Sequence, residues 1–136
     1  MPEGLRPQRG IIDTSVVVDF EQLDVNQLPI ELAVTAITMA ELAASPHATT
    51  DADERARRQD RLQRAEAVFD PLPFDTSAAR AYGRIYAAVT AVGRSARPRA
   101  MDLLIAATAC AVGLPPYTRN PGDFRGLENV ITITPL

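Results

Sequence analysis

The chain has 136 residues, is 46% hydrophobic and 5% aromatic without Trp, and carries a formal net charge of −3. That length fits one domain with a mostly aliphatic core, and the charge balance by itself argues weakly against a nucleic-acid partner. Cys110 and His47 are the sole residues of their types, which excludes an intrachain disulfide and leaves no basis for a zinc site of N/S ligands or a His-activated nucleophile. All fourteen basic residues are Arg.

Residues 1–9 lead with no apolar signal core behind them and are expected to form a loose tail before a single domain spanning the chain. A β-like run follows at residues 10–12 and ends at Asp13. Residues 15–28 are expected to be helical, and residues 33–37 to form a second strand that leads into a helix over 38–45. A loop is expected at 45–50. Residues 50–69 open with Asp51, Asp53 and Glu54 and continue with arginines, the charge order a helix dipole favours. After a third β-like run at 71–74, residues 76–93 place Ala79, Tyr82, Ile85, Tyr86, Val89 and Val92 at helical spacing. The apolar run 103–114 is far short of the roughly 20 residues of a membrane helix. It reads as a buried helix opened by Asp102, with Cys110 a plain buried thiol within it. Two further β-like runs occupy 115–117 and 130–134, with a helical turn begun by Pro121 between them. Strands alternating with helices predict an α/β fold, a three-layer α/β/α sandwich around a central, mostly parallel sheet of about five short strands.

Four acids fall at the joints of this pattern: Asp13, Glu41, Asp102 and Asp123. Each has a local explanation. Thr38-Met39-Ala40-Glu41 fits a capping box. Asp102 and Asp123 sit where a helix start favours negative charge, by about 0.3–1 kcal/mol each. Asp13 suits a strand-to-helix turn. Taken together, Asp13, Glu41 and Asp123 lie at or just beyond the ends of parallel strands, the edge at which open α/β sheets bind ligands. Two carboxylates about 4 Å apart repel by about 1 kcal/mol in water and about 4 kcal/mol at an effective dielectric near 20. A convergent set therefore needs raised pKa values or a cation, and oxygen-only ligands select Mg²⁺ or Mn²⁺.

The blocks IIDTSVVVDF, AITMAELAAS, RAMDLLIAATACAVGLPPYTRNPGDFRGL and VITITPL resemble the PIN-domain ribonucleases, and among them the VapC toxins of bacterial toxin–antitoxin pairs. The resemblance runs from Ile11 almost to the C-terminus. It implies a metal site of Mg²⁺ or Mn²⁺ made by Asp13, Glu41, Asp102 and Asp123, which would also be the catalytic residues. Ser15, Thr118 and Asn120 correspond to the polar positions that support such a site. The implied activity is metal-dependent hydrolysis of RNA phosphodiester bonds by metal-activated water, with single-stranded or loop RNA as substrate. The implied setting is cytoplasmic, without a membrane, with a VapB-like antitoxin lying along a groove near residues 15–28 and 38–45, and with homodimerisation. LPPYT carries two prolines where the family shows a smooth strand, which implies a short or distorted strand. Asn120 stands where some relatives carry a further acid, which leaves one or two metal ions open.

Arg94, Arg97, Arg99, Arg119 and Arg125 flank the acidic blocks and are candidates for RNA phosphate contacts, for antitoxin contacts or for plain surface charge. A non-catalytic PIN-like module that binds RNA or protein is the alternative reading. A receiver-type phosphoacceptor domain is disfavoured because the chain has no Lys, and nucleotide-binding folds because no GxGxxG or GxxxxGK[ST] follows the first strand.

Overall fold

The structure, a computed structural model, describes residues 8–136. Four short strands form one parallel sheet in the order β2-β1-β3-β4. They are β1 (Arg9–Ile12), β2 (Glu31–Ala33), β3 (Pro116–Thr118) and β4 (Thr134–Pro135). Five α-helices accompany them: α1 (Thr14–Val18), α2 (Ala36–Ala44), α3 (Ala52–Val68), α4 (Thr76–Ala91) and α5 (Ala100–Val112). Of the expected tail, residues 1–7 lie outside the described residues, and Arg9 already belongs to β1, where it pairs with Glu31 at 3.3 Å.

The strands are apolar because both faces of the sheet are covered. Ile11 and Ala33 face one side and pack with Ile105 and Ala109 of α5. Ile12 and Tyr117 face the other and pack with Val16 of α1, Leu28 and Val34. A third cluster joins α4 to α5 through Ala81, Ile85, Val89, Leu103 and Ala107, closed below by Phe124 and Leu127. Helix starts are set by side-chain caps: Asp51 accepts from Glu54 N at 3.0 Å and Asp75 from Ala78 N at 3.0 Å. Helix α5 ends on Gly113 in the left-handed conformation (φ 72°).

Three expected elements are replaced by shorter ones, each for a local reason. The helix expected over 15–28 stops at Val18, because three consecutive valines are poor helix formers and the chain then turns through two short 3₁₀ segments, the second capped by Asp24. Residues 71–74 contribute no strand. Pro71 and Pro73 lack the N–H groups a ladder needs, so Leu72 alone pairs with the Val34–Ala36 backbone. In 130–134 the N–H groups of Val130 and Ile131 turn back to the carbonyl of Leu127, and pairing with β3 begins at Thr134. The sheet therefore has four strands where about five were expected. The two prolines of LPPYT leave β3 three residues long, yet it is buried throughout and paired on both sides. The segment expected as a loop at 45–50 is largely a 3₁₀ turn, Ser45–Ala48.

Candidate active site

Because the sheet is parallel, β1 and β3 end at the same edge. Asp13 follows β1 directly and its N–H donates to the carbonyl of Tyr117 in β3, at 3.0 Å. Its side chain caps α1, Oδ1 accepting from Val16 N at 3.2 Å, and is 3% exposed. Ser15 Oγ donates to the same carboxylate at 2.6 Å and accepts from Arg119 N at 3.0 Å. Thr118 Oγ1 lies 3.5 Å from Ser15 Oγ and accepts from Asn120 N at 2.9 Å. Ser15, Thr118 and Asn120 thus form one chain of hydrogen bonds that ends on Asp13, with Asn120 entering through its backbone. Burial raises the Asp13 carboxyl above the ordinary carboxylate pKa, against the opposing pull of the Ser15 and Thr118 hydroxyls and the Val16 and Ser15 backbone.

Glu41 does not form the expected capping box. Strand β2 ends at Ala33, so α2 begins early. Thr35 is the cap, its Oγ1 accepting from Thr38 N at 3.2 Å, and Ile37, expected in the strand, is helical. Glu41 then lies in the second turn of α2, where its Oε1 accepts from Thr14 Oγ1 at 2.6 Å. Thr14 Oγ1 also lies 3.0 Å from Thr38 Oγ1. Thr14 and Thr38 went unnoticed as site residues in the sequence. The signal available was the hydroxyl pair Thr14-Ser15 directly after Asp13, of which one member serves Asp13 and the other Glu41.

Asp102 sits in the first turn of α5 and Asp123 in the 3₁₀ turn Pro121–Phe124, as their positions implied. The carboxyl of Asp102 is pushed up to about 6, first by burial and then by the charges of Asp123, Glu41 and Asp13, with Arg99 acting in the opposite sense. Asp102 therefore feels the charges of three acids that are spread, with it, over more than a hundred residues of chain. Among the described residues, no three of His, Cys, Asp and Glu are grouped tightly enough to hold a metal ion as they stand. Carboxylate oxygens are donors that suit a hard divalent cation. Cys110 is partly exposed, with Arg84 Nη2 at 3.5 Å from its sulfur, so it is not the fully buried thiol expected.

Away from this edge, a groove of about 770 Å³ runs between the α1 end, β2 and α3. Val18, Phe20, Ile30 and Val68 are exposed along it, beside Arg61 and Arg64. It takes in part of the stretch 15–28 along which an antitoxin groove was expected, and none of 38–45. No helix among the described residues is long and apolar enough to cross a membrane.

The PIN-domain family model matches residues 11–125. The chain is 36% identical over 130 residues to ribonuclease VapC5 of Mycobacterium tuberculosis, covering 93% of each chain. Its structure superposes on the crystal structure of the toxin–antitoxin system VapBC-5 from Mycobacterium tuberculosis with a TM-score of 0.85 and 35% identity, over 96% of this chain and 100% of that one. The fold alone is shared with FitAcB of Neisseria gonorrhoeae, with a TM-score of 0.66 and 24% identity over 91% of this chain and 95% of that one. Sequence, fold and topology agree, and the chain belongs to the PIN-domain family, in its VapC branch.

Proposed function

We propose that the chain is the toxin of a toxin–antitoxin pair, an endoribonuclease that hydrolyses RNA phosphodiester bonds with Mg²⁺ or Mn²⁺ held by Asp13, Glu41, Asp102 and Asp123. The observation that carries this reading is the sheet edge at which Asp13, tied to Ser15 and to the Tyr117 carbonyl of β3, stands within a chain that matches the family over residues 11–125. When bound, a divalent ion supplies a water of lowered pKa and offsets the charge that develops on the phosphoryl oxygens. The chain's own residues prepare that chemistry. Asp13 is fixed by the Ser15 hydroxyl and the Val16 N–H, so its second oxygen keeps one direction. Glu41 is held toward α1 by Thr14. Asp102, its pKa raised to about 6, would hold a cation as the carboxylate, its proton having passed to water. Ser15 and Thr118, with the Asn120 backbone, hold the β1 and β3 ends in register as a supporting layer.

The approach of an RNA backbone to an acidic centre needs cations at its rim. Arg99 lies close enough to act on Asp102, and its Nε is buried without a hydrogen-bond partner in the structure. The apolar groove beside α3 supports a VapB-like antitoxin as partner: its exposed valines, Phe20 and Ile30 suit the apolar face of a helix. The relatives VapC5 and VapBC-5 are named as a ribonuclease and a toxin–antitoxin system, which supports both halves of the proposal. A homodimer and a single-stranded or loop RNA substrate belong to the same reading.

The test is cleavage of a single-stranded RNA by the purified chain. Cleavage that stops with EDTA, returns with Mn²⁺ and is absent from Asp13→Asn and Asp123→Asn variants with wild-type circular dichroism supports the proposal. Binding of RNA without cleavage at any Mg²⁺ or Mn²⁺ concentration would show a non-catalytic module instead.

A further inference from the structure

Arg94 lies just past the end of α4, far in sequence from every acid but Asp102. Its Nη1 donates to the carbonyl of Gly122 at 3.0 Å and to that of Arg125 at 2.8 Å. Those two carbonyls bracket Asp123. The turn between them has little support of its own: it is a 3₁₀ turn, closed by Asp123 N to Asn120 O at 3.0 Å and by a long bond from Arg125 N to Gly122 O at 3.3 Å. No side chain caps its start. The chain then passes Gly126 at φ +104°, so close to the end of α4 that a Cβ there would lie 2.8 Å from Val92 Cγ2. The turn is thus pressed against the end of α4 on one side and tied to it by a guanidinium on the other. Hydrogen bonds from a charged donor are roughly twice as strong as neutral ones. The charges acting on Arg94 are those of Arg99, Arg125, Asp123 and Glu128.

We propose that Arg94 is a positioning residue of the nuclease site, clamping the Gly122–Arg125 carbonyls so that the Asp123 carboxylate faces Asp102. Its Nη1 makes two bonds to main-chain oxygens of one turn distant in sequence, whereas Arg99 Nη1 makes one, to the nearby Ser95 carbonyl at 3.1 Å. The proposal rests on the nuclease reading only in what Asp123 is held for; the clamp itself is a statement about the turn.

The experiment compares wild type with R94A and R94K. Amide hydrogen exchange is read at Asp123, Arg125 and Leu127, which donate within and just after the turn. Mn²⁺ affinity is read by calorimetry on the protein without RNA, and kcat and KM are read on a single-stranded RNA. Loss of the clamp in R94A is expected to speed exchange at those three amides by about tenfold or more while core amides of α5 stay protected. Mn²⁺ affinity and kcat are expected to fall by about tenfold, as on loss of a group that orients a ligand, with KM for RNA unchanged. R94K, which keeps the charge on a stem that cannot offer the same fork, is expected to lie between, and it carries the same three readouts if R94A unfolds. Unchanged exchange at the three amides overturns the proposal. So does a rise in KM with a flatter salt dependence and no change in Mn²⁺ affinity, which would make Arg94 a phosphate contact. If wild type cuts no RNA, the nuclease reading fails, and the exchange result still decides the clamp.

Discussion

Replacing Asp102 by Asn is expected to stabilise the protein while abolishing its nuclease activity. The carboxyl has a pKa of about 6 in the folded chain against 3.8 as its ordinary value. The folded state therefore binds the proton more tightly than the unfolded chain, and stability falls as pH rises from about 4 to about 6. Above that window the full penalty is present; below it the group is protonated in both states and the penalty is gone. A shift of about two units corresponds to about 3 kcal/mol. The carboxyl is partly open to water, which halves the figure to about 1.5 kcal/mol. Its place in the first turn of α5 returns roughly 0.5 kcal/mol that Asn would forfeit. The net expectation is a gain of about 1 kcal/mol, or roughly 3–4 °C in Tm, at pH 7 and low salt with no divalent ion present. Thermal unfolding of both proteins at pH 4, 5, 6 and 7 measures it. The gain should shrink toward zero at pH 4, and millimolar Mn²⁺ should raise the Tm of wild type but not of the variant. A variant less stable than wild type at pH 7, or a gain independent of pH, would refute the account of Asp102 as a carboxylate held against three others.

Ser15→Ala removes the hydroxyl that donates to Asp13 and accepts from Arg119; a loss of about 1–3 kcal/mol in urea unfolding and about 10–100-fold in RNA cleavage is expected. Thr14→Val keeps the shape of the side chain but removes the donor to Glu41, so cleavage should fall about tenfold and the Mn²⁺ concentration for half activity should rise. Gly10→Ala places a Cβ 2.5 Å from Tyr117 Cε1 and 3.1 Å from Pro29 Cγ, and overpacking at that buried joint should lower stability by about 1–3 kcal/mol by urea unfolding.

What the sequence made legible were positions that local chemistry decides. The helices expected over 50–69 and 76–93 stand at Ala52–Val68 and Thr76–Ala91, where the acidic opening and the apolar spacing put them. Asp13 and Asp123 lie where a strand end and a proline-led turn put them. What stayed hidden depends on partners distant in sequence. The run AVTAI reads equally as strand or helix, and Thr35 decides it by capping α2 while Leu72 pairs on its flank. The assignment of Thr14 to Glu41 and Ser15 to Asp13 depends on where α2 crosses α1, which no spacing within either segment encodes. Arg94 carried no visible sign of its carbonyl partners, since an arginine in a loop has the same appearance whether it meets solvent, phosphate or backbone.

Capping and ligation were set against each other as explanations of the four acids, and the structure places three of the acids at helix starts. Asp13 caps α1, Asp102 lies in the first turn of α5 and Asp123 in the first turn of its 3₁₀ segment. Each helix start presents unpaired N–H groups and a partial positive charge, so each lowers the cost of a carboxylate placed there. Helix starts directed at one sheet edge are a means of gathering like charges that would otherwise repel apart. Glu41 is the exception: it sits a turn deeper in α2, beyond the useful range of that helix's start, and there the hydroxyl of Thr14 at 2.6 Å takes over the task.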